Sequence, residues 1–173
     1  MKPGDELAPL TIPITRTLIV AGAVASRDYQ DVHHDAELAR AKGSPDIFMN
    51  ILTTNGLVGR YITDRLGPTA VLRKVAIRLG APNYPGDTMT LTGTVTEVDG
   101  ETVRVRVTGA NGIGHHVTGT VTATVPPESR SAVLHPPESG SAVSPPPEPG
   151  SPPPTPSAPP VVAESAHPEE GQR

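Results

Sequence analysis

The chain has 173 residues, with no cysteine, no tryptophan, one phenylalanine and three tyrosines. Without cysteine there is no disulfide, no thiolate nucleophile and no zinc–thiolate site. No apolar run reaches about 18 residues, the length a membrane-spanning helix needs. The first residues lack the basic stretch and apolar core of a secretory signal. These absences lead us to expect a cytoplasmic protein without a membrane partner. Basic residues are not in excess either. Residues 1–125 hold 12 basic and 12 acidic side chains, so the net charge of −4 comes from the rest of the chain. A nucleic-acid partner would want a basic, aromatic-bearing surface, so none is expected.

Proline is sparse through residue 125 and abundant afterwards, where 15 of the 22 prolines lie. This break sets the expected organisation: one domain over 1–125 and a Pro/Ser/Glu-rich tail over 126–173. The tail has too few large apolar side chains to offset its ordering entropy, so disorder with local polyproline II is expected. It repeats Pro126-Pro127-Glu128-Ser129 as Pro136-Pro137-Glu138-Ser139. Two copies without a buried face do not make a solenoid.

Within 1–125, branched aliphatic and threonine residues favour β structure. Asp5 to Ile14 reads as an edge strand, since Pro9 and Pro13 withhold amide donors. Thr15 caps a helix over Arg16–Ser26, and Asp35 caps a short one over Ala36–Lys42 that Gly43 stops. Ser44-Pro45-Asp46 opens the longest helical pattern. Its stripe of Phe48, Ile51, Leu52, Leu57, Val58, Tyr61, Ile62 and Leu66 implies a mostly buried helix ended by Gly67-Pro68. Alternating strands follow over Val71–Leu79, Thr88–Val98, Thr102–Thr108 and Val117–Val125, with turns at Asp99-Gly100 and Asn111-Gly112. The expected class is α+β, a long helix wrapped by an antiparallel meander.

The chemistry-bearing stretch is Ser26-Arg27-Asp28-Tyr29-Gln30-Asp31-Val32-His33-His34-Asp35. Helical neighbours lie three or four apart. Asp28 and His33, five apart, meet only if the backbone turns between them. A carboxylate and an imidazole that grip one water can take a proton from it and return one elsewhere. The alternative is a polar, exposed turn before a helix. His34 should point elsewhere. His115 and His116 should face opposite sides of a strand in structural or solvent roles, and no metal site is expected. Gly109-Ala110-Asn111-Gly112-Ile113-Gly114 is turn chemistry, since no helix follows to cradle a phosphate. Arg73, Lys74 and Arg78 read as solvated strand charges, with contacts to the phosphates of a ligand as the alternative.

The stretch resembles the signature of the MaoC-like, R-specific enoyl-CoA hydratases, roughly Ser-Gly-Asp-x-Asn-Pro-(Ile/Leu)-His. Ser26, Asp28 and His33 match, Val32 matches as a branched apolar residue, and Arg27, Gln30 and Asp31 depart from it. Thr54-Asn55-Gly56-Leu57-Val58 and Tyr84-Pro85-Gly86-Asp87-Thr88 are similar to later family segments. The resemblance implies the hotdog fold, with Asp28 and His33 as the catalytic pair. It implies an acyl-CoA substrate, with CoA as part of the substrate and no separate cofactor. It implies that a helix N-terminus stabilises the thioester oxygen. There Asn50 stands where glycine is usual, and its backbone amide is the candidate oxyanion donor. Arg27–Asp35, Asp46–Thr53 and Ile77–Gly80 further resemble the small subunit of actinobacterial steroid side-chain hydratases. That likeness implies a heteromer with a larger MaoC-like subunit. A hotdog thioesterase, or a non-catalytic half that completes a partner's pocket, stays open as an alternative.

Overall fold

A computed structural model describes residues 1–127 and Ser129. The expected tail, apart from its first residues, therefore lies outside the described residues. The elements are β1 (Glu6–Pro13), α1 (Arg16–Ala25), a single 3-10 turn (Asp31–His33), α2 (Ala36–Ala41) and α3 (Ile51–Leu66). Four strands follow: β2 (Val71–Leu79), β3 (Thr88–Asp99), β4 (Thr102–Asn111) and β5 (Gly114–Thr124). They form one antiparallel sheet in the order β1-β3-β4-β5-β2.

The α+β expectation holds, but the meander covers only β3, β4 and β5. The Asp99-Gly100 and Asn111-Gly112 turns join those three. β2 instead pairs with β5, with Val75 opposite Val121, and forms the far edge. The segment from Gly80 to Asp87, with Pro82 and Pro85, is too long for a tight hairpin and carries the chain across the sheet. β1, with its two prolines, is the other edge. β5 begins at Gly114, earlier than expected.

Helix α3 lies on one face of the sheet. Thr54, Val58, Tyr61, Ile62 and Leu66 are buried beneath it, against Leu91, Val95, Val105 and Val121. Tyr61 is the one fully buried large aromatic, and its ring sits over Gly93, where a Cβ would come within 3.1 Å of it. Burial pushes the Tyr61 hydroxyl up to about 12. Each fully buried aliphatic side chain contributes about 1.5–3 kcal/mol, so these facing rows hold helix to sheet.

Two expectations about this helix need correction. It starts at Ile51, not at Pro45. The backbone before it is tied to other loops: the Phe48 N–H donates to Val32 O (3.0 Å) and the Met49 N–H to Asn83 O (3.1 Å). The Asn50 side chain then accepts from Thr53 N (2.9 Å) and caps the helix. Nor is the helix mostly buried. Ile51 and Leu52, at its first turn, are 47% and 49% exposed. Among the described residues, no helix is long and apolar enough to cross a membrane.

Candidate active site

The end of α1 places Asp28. The Arg27 N–H donates to Val24 O (3.1 Å) and the Asp28 N–H to Ala23 O (2.9 Å). This paired closure is a Schellman motif, which needs a left-handed residue between helix and exit. Glycine is the usual choice; here Arg27 takes it, at φ 57°. The chain leaves the helix sharply and turns Asp28 inward.

The 3-10 turn places His33, which is 6% exposed. Its Nδ1 lies 2.7 Å from Phe48 O. A carbonyl can only accept, so Nδ1 carries the proton in the neutral ring and Nε2 is left free. Nε2 faces Asp28 Oδ2 at 3.3 Å. The Phe48 ring packs edge-on against the imidazole, with centroids 5.1 Å apart. Phe48 thus fixes His33 through its carbonyl and its ring, while its own N–H holds Val32. The predicted pair is brought together, and the five-residue spacing works through the backbone turn.

Asn50 completes the cluster and is 2% exposed. Its Nδ2 donates to Asp28 Oδ2 (3.0 Å) and to Ser26 Oγ (2.8 Å). Its backbone N–H, the predicted oxyanion donor, has no hydrogen-bond partner among the described residues. The sequence reading missed the side chain's role. The available signal was the preference for asparagine immediately before an apolar periodic run.

Ion pairs outside the cluster brace these loops. Arg16 grips Asp46 through two hydrogen bonds of 3.0 and 2.5 Å. The Arg16 guanidinium, with the Ile47 N–H, holds the Asp46 carboxyl below its ordinary range. Lys42 pairs with Asp31 at 2.7 Å and holds that carboxyl low in the same way. Both pairs are exposed, so their net worth is small.

The decoys fall where expected. His34 is exposed, with Nε2 3.1 Å from Tyr29 O, and lies outside the cluster. His115 is exposed and His116 is buried. His116 has a structural role: Nδ1 meets Ala81 O at 2.7 Å and Nε2 meets Thr54 Oγ1 at 2.8 Å. Burial pulls its pKa down, against a smaller opposing effect of the Ala81 carbonyl. Arg73 and Arg78 are exposed on β2, and Arg73 Nε donates to Thr124 Oγ1. Beside Ser26 an open groove of about 380 Å³ runs between α1 and α3, lined by Gly22, Ala25, Leu52, Gly56, Leu57 and Arg60 among others.

The profile of the MaoC-like domain matches residues 2–118. The chain belongs to the MaoC-like domain family. This MaoC-like chain is 53% identical over 118 residues to the 3-oxo-4,17-pregnadiene-20-carboxyl-CoA hydratase beta subunit of Mycobacterium tuberculosis. The match spans 68% of this chain and 92% of that subunit. It is also similar to a chain in the crystal structure of the ChsH1-ChsH2 complex from Mycobacterium tuberculosis. There the TM-score is 0.70 at 48% identity, covering 71% of this chain and 97% of that one. R-hydratase PhaJ1 from Pseudomonas aeruginosa shares the fold at 22% identity and a TM-score of 0.68, covering 73% of this chain and 83% of its own. The MaoC-like chain therefore has the hotdog fold.

Proposed function

We propose that this MaoC-like chain hydrates a 2-enoyl-CoA thioester, with Asp28 and His33 as the catalytic pair. The observation that carries the reaction is a buried imidazole whose free Nε2 faces a carboxylate at 3.3 Å. Both groups can hold one water. Asp28 takes one proton from the water as the water oxygen bonds to the β-carbon, and His33 Nε2, which holds no proton of its own, relays that same proton from Asp28 to the α-carbon. The balance is one water added across one double bond. Negative charge gathers on the thioester oxygen in the transition state. The Asn50 backbone N–H, at the positive end of α3, is suited to receive it. CoA enters as part of the substrate, and the reaction as proposed calls on no resident cofactor. We place it in the cytoplasm on the same reading.

The substrate class and partner rest on the relatives. The M. tuberculosis relative is named as the beta subunit of a 3-oxo-4,17-pregnadiene-20-carboxyl-CoA hydratase, whose pregnadiene part is a ring system, and the similar crystal structure is of a two-component complex. We propose the same arrangement here: a catalytic small subunit, completed by a larger MaoC-like subunit, acting on a ring-bearing enoyl-CoA. We also propose that residues 1–125 form the whole catalytic domain.

The test is kcat/KM for a ring-bearing enoyl-CoA and for crotonyl-CoA, on the chain alone and co-expressed with such a subunit. The proposal expects the complex to prefer the ring-bearing substrate, because a pocket shaped for rings positions a short chain poorly. A stable homodimer that prefers crotonyl-CoA overturns the heteromer and the substrate class.

A further inference from the structure

The Asn50 side chain has three hydrogen-bonding groups, and each is used. Oδ1 accepts from Thr53 N at 2.9 Å. One Nδ2 hydrogen goes to Ser26 Oγ at 2.8 Å, the other to Asp28 Oδ2 at 3.0 Å. Ser26 Oγ donates its own hydrogen to Gly22 O at 2.7 Å, so it is free to accept. The amide has only one acceptable orientation. Flipped, it would set Nδ2 against the Thr53 N–H and Oδ1 against a carboxylate. The chemistry of its partners therefore fixes an N–H on Asp28.

Asp28 Oδ2 lies between this amide and His33 Nε2. Among the described residues, Oδ1 has only a long contact from the Gln30 N–H at 3.5 Å. One oxygen is anchored by a buried donor and the other is left for water. His33 is the titratable group that faces this carboxylate. We infer that the Asn50 side-chain amide is a positioning residue for Asp28: it fixes the carboxylate's rotation toward His33. This role is separate from that of the Asn50 backbone N–H. The inference rests on the proposed hydration by Asp28 and His33.

The physical basis is that a fixed donor on the carboxylate removes a rotation that would otherwise have to be arrested during the reaction. The same side chain caps α3, so a test must separate the two roles. Asn50→Asp does so: aspartate is a good N-cap and nearly isosteric, but it turns an acceptor toward Asp28. Asn50→Ser also caps the helix, yet is too short to reach Asp28. Both keep the backbone N–H.

The experiment measures kcat and KM separately for enoyl-CoA hydration in the co-expressed complex, with melting temperatures alongside. Wild type, Asn50→Asp, Asn50→Ser and Asp28→Asn are compared. We expect Asp28→Asn to be inactive. In both Asn50 variants kcat should fall at least tenfold, with KM within about threefold. If Asp28→Asn is inactive while both Asn50 variants keep wild-type kcat, the positioning role is wrong and the hydration reading stands. If Asp28→Asn stays active, the hydration reading fails and takes the inference with it. Should Asn50→Asp not fold, the kcat and KM of Asn50→Ser decide alone.

Discussion

His33 is held from behind and Asp28 from the side. The imidazole Nδ1 is fixed on Phe48 O at 2.7 Å, which leaves Nε2 directed at Asp28 Oδ2, 3.3 Å away. Phe48 precedes α3, His33 closes the 3-10 turn, and Asp28 leaves α1. Three separate segments meet at this carboxylate–imidazole pair. The pair's geometry therefore depends on the joints between these segments as much as on the two residues.

The joint at Arg27 carries strain. A non-glycine residue in the left-handed region costs on the order of 1 kcal/mol, and Arg27 sits there at φ 57°. Arg27→Gly should stabilise the protein by about 0.5–1 kcal/mol, seen as a higher Tm or denaturant midpoint. A loss of stability would mean that Arg27 side-chain contacts outweigh the backbone.

The crossing of α1 on α3 depends on Gly22. A Cβ there would lie 2.2 Å from Thr53 Oγ1 and 2.8 Å from Thr53 Cγ2. Thr53 is β-branched and in the first turn of α3, so it has little room to retreat. Gly22→Ala should cost about 1–3 kcal/mol, the range for overpacking, measured by chemical denaturation. A neutral effect would show that the two helices slide apart freely.

His116 makes stability depend on pH. In the unfolded chain it takes up a proton near pH 6.5, and in the fold only at lower pH, because it is buried. Over that interval the unfolded state binds more protons, so stability rises with pH. His116 thus contributes full stability above about pH 6.5, and that contribution is lost as pH falls below it. Wild-type Tm should drop between pH 7.5 and 5.5, and the drop should shrink in His116→Gln. Equal slopes in the two proteins would rule out this source.

The last described core residue marks a boundary. Val125 is fully buried, and its N–H donates to Glu101 O at 2.8 Å. A chain ending at Val125 should keep the full-length Tm and the activity of the complex. Loss of either would place a working element beyond that residue.

The periodic signals were legible because side-chain patterns and caps are local. Thr15, Asp35 and the alternation in β2, β3 and β4 all act where the sequence suggests. The start of α3 was not legible. Phe48 and Met49 fit an apolar helical stripe, but their backbone N–H groups are claimed by Val32 and Asn83, both distant in sequence. The place of β2 was hidden for a similar reason: pairing with β5 is a choice between edges that no local pattern encodes. The Asp28–His33 spacing was readable, whereas the Asn50 bridge to Asp28 spans 22 residues and exists only once α1 and α3 have packed.

The most direct measurement is enoyl-CoA hydration by the co-expressed complex carrying Asp28→Asn or His33→Ala, with His34→Ala as the control. Loss of a general acid–base group costs roughly 10²–10⁴-fold. Each of the first two variants should lose at least about 10² in turnover at unchanged Tm, and His34→Ala should lose far less. Near-normal hydration in Asp28→Asn or His33→Ala would contradict the account.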